Sequence, residues 1–128
     1  AELWLDGGHN VHGARAVATA MADMERTRPA PLVLIMGMLN NRSPREFLEP
    51  FAAQAEQVIG LAIPGEANTH PASQIAADAQ ALGIKASTAA NIGAALKQAA
   101  AVPNARVLIC GSLYLAGDVL AKNGTLPD

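Results

Sequence analysis

The first side chains that could do chemistry follow an apolar run at the very start of the chain. Residues 2–5 lead into the carboxylate of Asp6, a Gly7–Gly8 turn, and the side chains of His9 and Asn10. An alanine-rich pattern with helical spacing begins immediately afterwards. A strand that turns sharply into a helix offers unpaired N–H groups and a positive dipole end, which suit a nucleotide or another anion. This turn is therefore the first candidate binding site.

Strand and helix patterns alternate along the whole chain. Short apolar runs predict strands at residues 2–5, 32–36, 58–63, 84–87 and 106–110. Apolar residues at helical spacing predict a helix after each strand, the last over residues 113–122. This alternation predicts one α/β domain over residues 1–128, a three-layer Rossmann-like fold with a mainly parallel sheet and helices on both faces.

Local signals mark where several of these helices begin and end. Ser43 and Glu46 have the spacing of a capping box at a helix start. Pro50 must kink or split the helix that follows, because its ring clashes with the preceding turn. Gly83 stands where a left-handed cap usually ends a helix, and Asn91 can cap the next one.

Composition excludes several classes of function. The formal charge of −2 argues against a non-specific nucleic-acid binder, and the 3% aromatic content argues against a base-stacking platform. Cys110 lies inside an apolar run and is predicted to be a core residue in a reducing compartment. Without an apolar run of bilayer length or a leader, a soluble cytoplasmic domain with no membrane partner is expected. A first residue already inside a strand pattern suggests a piece excised from a longer protein.

Polar side chains cluster where the predicted strands end. In a parallel sheet these carboxyl ends share one edge, where ligands bind. The set suits a nucleotide or a small polar ligand, and it lacks the ligand spacing of a metal site. Walker, Rossmann-glycine and nucleophile-elbow motifs are also absent from the sequence. The converging residues are Asp6, His9, Asn10, Asn41, Arg42, Ser43, Ser112 and Tyr114.

Three motifs carry a resemblance to a known family: residues 5–10, 37–39 and 109–120. Together they resemble the carboxyl-terminal domain of the folylpolyglutamate synthase/dihydrofolate synthase family, which belongs to the Mur ligases. The resemblance implies an ATP-dependent ligase of folate biosynthesis that activates a carboxylate as an acyl phosphate and joins it to L-glutamate. It also implies that the P-loop and the Mg²⁺ ligands belong to the protein's own N-terminal ATPase domain, so the chain alone would not catalyse.

The same resemblance implies roles on the ATP side of the site. Asp6 is similar to the family residue that contacts the ATP ribose. His9, the candidate catalytic residue, is similar to the motif histidine near the phosphates and the glutamate, and Asn10 fills the neighbouring polar position. Arg42 stands in a stretch where the family often has Asp-Lys-Asp, so it retains a positive charge with a different geometry. These four residues are the expected ATP-binding set.

On the glutamate side, Ser112 resembles the family serine that holds the incoming amino acid, and Tyr114 lies in the same turn. Folate and dihydropteroate both remain possible acceptors. Each role has a structural alternative, since Ser112 could simply cap the last helix and Asp6 could simply end a strand. Two other classes of function stay open. One is a stand-alone Rossmann-like nucleotide-binding module, and the other is a structural interaction domain.

Overall fold

The elements of the chain alternate as the sequence predicts. A computed structural model describes residues 2–5 and 11–111. The predicted final helix over residues 113–122 lies outside these ranges. The longest described helix has 17 residues, and none of the described helices is long and apolar enough to cross a bilayer. The described elements are β1 (Glu2–Leu5), α1 (Val11–Thr27), β2 (Leu32–Met36), α2 (Pro44–Leu48), a 3-10 turn (Glu49–Phe51), β3 (Ala55–Gly60), α3 (Ala72–Ala81), β4 (Ala86–Thr88), α4 (Ile92–Ala100) and β5 (Arg106–Cys110).

The described strands form one sheet in the order β1-β5-β2-β3-β4. Every neighbouring pair is parallel. The last described strand therefore lies between the first and the second. In register, Leu5 pairs with Ile109, and Met36 pairs with Cys110. The carboxyl ends of β1, β5 and β2 consequently lie side by side.

Helices cover the sheet from both sides. α1, α2 and α3 pack on one face over a core that includes Leu34 and Leu108. α4 packs on the opposite face over a second core that includes Val33 and Ile35. All five residues of β2 are buried because neighbours in the strand point to opposite, equally covered faces. The predicted three-layer α/β architecture is confirmed.

The local signals for helix ends act as predicted. The Ser43 hydroxyl accepts a hydrogen bond of 3.2 Å from the backbone N–H of Glu46, and Asn91 caps α4 through a bond of 2.9 Å from the N–H three residues on. Pro50 splits its helix, since α2 ends and a 3-10 turn follows. Gly83 ends α3 with a left-handed φ of 82°. These short-range features are confirmed because each depends on a few consecutive residues.

The predicted bounds of two strands are wrong. β3 begins and ends three residues before the predicted 58–63, and β4 begins two residues after the start of the predicted 84–87. Ile63 is buried, but its N–H donates to a loop hydroxyl and not to a strand. The N–H of Ile84 is used in the cap of α3, where it donates to the Ala79 carbonyl over 3.0 Å. An apolar run thus reports burial, whereas pairing depends on the neighbouring strand.

Candidate functional site

Sheet topology brings to one edge the ends of the three strands that lead into the motifs. β1 and β2 flank β5, and their last residues are paired in register with the end of β5. The segments that follow these strands in sequence begin at Asp6, Gly37 and Gly111. From this edge the chain runs outward through β3 and β4, and it then returns over the opposite face of the sheet through α4 to β5. Such a switch in strand order is where open α/β sheets bind ligands.

Most of the expected site residues lie outside the described part of the chain. Asp6, His9 and Asn10 belong to residues 6–10, and Ser112 and Tyr114 belong to residues 112–128. Their roles therefore stay predictions. Of the residues with an expected ligand role, the structure describes Arg42. It also describes the neighbouring Asn41 and Ser43, the turn after β2, and Gly111.

A close backbone approach joins the turn after β5 to the turn after β2. Gly111 has a φ of 95°, which L residues with a side chain rarely adopt. A Cβ atom at this position would lie 2.4 Å from the Gly37 carbonyl oxygen and 3.1 Å from Cγ of Met36. The position therefore requires glycine on two separate grounds. This contact fixes the residue before Ser112 against the loop that leads to Arg42.

The loop after β2 is held by the loop that follows the neighbouring strand β3. The N–H of Asn40 donates to the Asn68 carbonyl over 2.7 Å, and the N–H of His70 donates to the Met38 carbonyl over 2.8 Å. Between these two hydrogen bonds, Leu39 forms an isolated antiparallel bridge with Thr69. We call this ladder of residues 38–40 with 68–70 the loop clamp. It gives a defined backbone to a segment that the sequence predicts only as loop.

Arg42 lies two residues after the loop clamp and is exposed. Its own N–H closes a turn by donating to the Leu39 carbonyl over 3.1 Å. The imidazole Nε2 of His70 lies 2.7 Å from the carbonyl oxygen of Arg42. An exposed guanidinium on a backbone held at both ends is suited to contact an anionic group such as a phosphate. This arrangement is compatible with the nucleotide-side role expected for Arg42.

A shallow pocket of about 290 Å³ opens where the two loops meet. The Glu66 carboxylate in its wall accepts a hydrogen bond of 3.1 Å from the backbone N–H of Asn68. The acid is therefore engaged in shaping its own loop. The remaining polar lining consists of amide side chains that can both donate and accept. The lining residues are Leu39, Asn40, Asn41, Glu66 and Asn68.

A larger cleft of about 520 Å³ lies at the opposite edge of the sheet, where the strands begin. Its lining includes Glu25, Glu56 and the buried Arg106. Ligands of open parallel sheets bind at the carboxyl ends of the strands, so volume alone does not select this cleft as the site. The smaller pocket includes Leu39 of the motif at residues 37–39, and we assign the candidate site there.

Residues 2–5 and 11–111 include no group of three His, Cys, Asp or Glu side chains arranged to hold a metal ion. The expectation that Mg²⁺ is bound mainly by another domain therefore stays a prediction. The structure adds two functional candidates that sequence reasoning missed, His70 and Gly111. Glycine at the end of an apolar run was a usable signal for the second. His70 ends a loop that follows a predicted strand, but no local pattern indicates its ring contact, because the partner is 28 positions away in the chain.

Comparison with solved structures identifies the fold. Bifunctional folylpolyglutamate synthase/dihydrofolate synthase from Yersinia pestis, complexed with AMPPNP and Mn, matches with a TM-score of 0.81 and 22% identity, over 98% of this chain and 30% of that one. Escherichia coli FolC in complex with DHPP and ADP matches with a TM-score of 0.82 and 19% identity, over 97% and 30%. Folylpolyglutamate synthase from Mycobacterium tuberculosis, complexed with ADP, matches with a TM-score of 0.77 and 22% identity, over 98% of this chain and 30% of that one. The chain thus spans about 30% of the length of each of these proteins.

Sequence comparison supplies the family. No curated protein sequence matches the chain significantly. The family model described as "Mur ligase, glutamate ligase domain" matches residues 1–113, which is most of the chain. This agrees with the resemblance that the three motifs carry. The chain belongs to the Mur ligase family, as a glutamate ligase domain.

Proposed function

We propose that this chain is the carboxyl-terminal domain of an ATP-dependent amide ligase that adds L-glutamate to dihydropteroate or folate. The observation that carries the proposal is the match of residues 1–113 to the glutamate ligase domain of Mur ligases. The ligands of similar structures support the substrates. Those structures are described as complexes with AMPPNP and Mn, with Mn, AMPPNP and L-glutamate, or with DHPP and ADP.

The proposed reaction has two steps. A carboxylate oxygen of the folate or dihydropteroate attacks the γ-phosphorus of ATP, so the bond to ADP breaks and an acyl phosphate forms. The amine of glutamate then attacks the acyl carbon, phosphate leaves with the electron pair of its C–O bond, and the amine loses a proton. Negative charge develops on oxygen in both steps, so fixed cationic and N–H donors stabilise the transition states. Mg²⁺, when bound mainly by the ATPase domain, would neutralise phosphate charge.

On the ATP side, we assign Asp6 to the ribose hydroxyls, because a carboxylate accepts two hydrogen bonds from a diol. His9 and Asn10 would donate toward the phosphates, with His9 as the candidate catalytic residue. Arg42 would add positive charge from the loop clamp. The support for this grouping is positional, since β1 and β2 end side by side with β5 at the same sheet edge.

On the glutamate side, we assign Ser112 and Tyr114, which follow the end of β5 in sequence. The reacting amine must be held in line with the acyl carbon, and fixed positioning of this kind removes much of the barrier. The site would be completed by the protein's own N-terminal ATPase domain, closing over this one in the presence of ligands. Such a ligase, using ATP and free glutamate, is proposed to act in the cytoplasm.

Ligation should require both domains. We expect no product when residues 1–128 alone are incubated with ATP, Mg²⁺, L-glutamate and dihydropteroate or folate, because the P-loop is missing. The same chain joined to an ATPase domain of this family should release ADP and form a product heavier by one glutamyl residue. The measurement is ADP release combined with mass spectrometry.

Two outcomes would count against this prediction. Product formed by the chain alone would show that the site is not split between domains. Tight binding of a fluorescent ATP analogue by the chain alone, without ligation by the joined domains, would favour a stand-alone nucleotide-binding module.

In the joined enzyme, Asp6→Ala and Ser112→Ala should each affect the KM of a different substrate. Loss of the ribose contact should raise the KM for ATP about tenfold, equivalent to about 1.4 kcal/mol, with little change for glutamate. Loss of the Ser112 hydroxyl should raise the KM for glutamate by a similar factor with little change for ATP. The measurement is initial rate against each substrate for both variants.

Each variant serves as the control for the other. A fall in stability would raise both constants together, so unfolding midpoints should be measured alongside. The reverse pattern, with Asp6→Ala affecting glutamate and Ser112→Ala affecting ATP, would refute both assignments.

A further inference from the structure

His70 connects the two halves of the loop clamp to Arg42. Its backbone N–H donates to Met38, and its ring Nε2 lies 2.7 Å from the Arg42 carbonyl oxygen. A carbonyl oxygen can only accept, so Nε2 must carry the hydrogen. One residue therefore bonds to the loop both before and after the exposed tip at Asn40 and Asn41. The ring contact is distinct from the ladder, which ends at position 70.

The ring of His70 has no part in starting the helix that follows it. Pro71 is the N-cap residue of α3, and no side-chain hydrogen bond caps that helix. The ring instead points across to a loop 28 positions earlier in the chain. A role limited to the start of α3 would not account for this contact.

The backbone of Arg42 is fixed from three directions. Its N–H bonds to the Leu39 carbonyl, its carbonyl accepts from His70, and the next residue, Ser43, caps α2. The Ser43 carbonyl also accepts from the N–H of Phe47 over 3.1 Å in the first turn of that helix. Removing the ring would leave the carbonyl of Arg42 to water and release the section of loop between the clamp and α2.

We propose that His70 is a positioning residue that holds the Arg42 carbonyl and so directs the Arg42 guanidinium toward a phosphate-bearing nucleotide. The proposal rests on the proposed function, because it takes from it that Arg42 faces ATP. His70 itself touches no substrate. Its effect should therefore appear in nucleotide affinity and in loop protection, and not in the chemical step.

Three variants separate the ring contact from general destabilisation. The amide nitrogen of Gln lies about as far along the side chain as Nε2 of His, whereas that of Asn reaches only the position of Nδ1. His70→Gln should therefore keep the bond to the Arg42 carbonyl, and His70→Asn and His70→Ala should lose it. Gln and Asn share their chemistry and differ in reach, which makes them a matched pair even if the alanine variant folds poorly.

The first readout is hydrogen exchange of the Asn40 and Arg42 amides in the 128-residue chain. We expect exchange about tenfold faster in the Asn and Ala variants and close to wild type in the Gln variant. Amides in β2 and β5 should be unaffected, since the ladder of the sheet does not involve His70. Unchanged exchange at both loop amides in the Asn and Ala variants would overturn the proposal.

The second readout is the kinetics of the chain joined to an ATPase domain. The KM for ATP should rise about tenfold in the Asn and Ala variants, with kcat and the KM for glutamate near wild type and with rescue by Gln. Faster exchange with an unchanged KM for ATP would overturn the positioning role. The exchange measurement does not depend on ligation. If the wild-type joined enzyme forms no product, the proposed function is refuted, and the exchange data still show whether His70 holds the loop. An unchanged KM for ATP in Arg42→Ala would show that Arg42 does not contact ATP, which would overturn the proposal.

Discussion

Gly111→Ala is expected to destabilise the chain by about 3 kcal/mol, combining a left-handed backbone that disfavours a side chain with overpacking of a close contact. The φ of 95° is one cause. The other is the Gly37 carbonyl oxygen, 2.4 Å from where the new Cβ would lie. Relief would require the end of β5 to move away from the end of β2. The measurement is the free energy of unfolding from a urea titration that is monitored by circular dichroism.

Gly83→Ala is the matched control for this prediction. Gly83 has a similar φ of 82°, but no atom lies within 4 Å of a Cβ built there. The control should lose only about 1 kcal/mol, the cost of the backbone conformation alone. Equal losses for the two variants would show that the approach of the two turns contributes nothing.

A functional result should accompany the loss of stability. In the joined enzyme, Gly111→Ala should impair the use of glutamate and of ATP together, because it separates the turn before Ser112 from the loop before Arg42. This pattern differs from the single-substrate effects expected for Asp6 and Ser112. An unchanged KM for both substrates in the folded fraction would contradict the idea that this contact positions the site.

Arg106→Ala is expected to cost about 3 kcal/mol of stability, since a charged donor and the packing of its aliphatic stem are both lost. The side chain is only 2% exposed, and its Nη2 donates to the Arg28 carbonyl over 2.6 Å. It thereby ties the start of β5 to the segment between α1 and β2, where its own N–H also bonds to the Pro31 carbonyl. Urea unfolding measures the change.

The neighbouring carboxylate tests which interaction matters at this edge. Glu25 is 51% exposed and its Oε1 is 3.9 Å from Nη1 of Arg106, so Glu25→Gln should change stability by about 0.5 kcal/mol or less. Gln can still accept the 3.0 Å bond that this oxygen receives from Ala30. Arg106→Met keeps most of the side-chain volume, so its loss of stability should lie between those of Arg106→Ala and Glu25→Gln. A loss below about 1 kcal/mol for Arg106→Ala would contradict the role of the buried guanidinium.

Strand bounds show how far local patterns carry. β1, β2 and β5 are predicted to the residue, because each is a short apolar run bounded by polar or turn residues. β3 includes the half-exposed polar start of its run, and its ladder ends at Gly60. There a side chain would meet the Ala72 carbonyl of α3 at 2.8 Å. That helix is the next element along the chain, so the contact lies outside the run of residues that predicts the strand.

The candidate site divides in the same way. The motifs at residues 5–10, 37–39 and 109–120 indicate the family without any structure, and the family model agrees. The strands that lead into these motifs end side by side because β5 lies between β1 and β2. From the sequence, Arg106 is predicted only as the first residue of a strand, and no local pattern assigns a contact to His70. Their partners, the Arg28 and Arg42 carbonyls, lie 78 and 28 positions away.

The sequence by itself therefore determined the alternation of strands and helices, the caps, the family and the chemical character of the turns. The strands, helices, caps and turns depend on residue types within a few positions of one another, where sterics and local hydrogen bonds dominate. The family is indicated by three short motifs, each of which can be recognised without the fold. Only the tertiary structure decided the strand order, the contact of Gly111 with Gly37 and the loop clamp that holds Arg42. These arise from packing and hydrogen bonds between segments far apart in the chain, whose energies no single segment encodes.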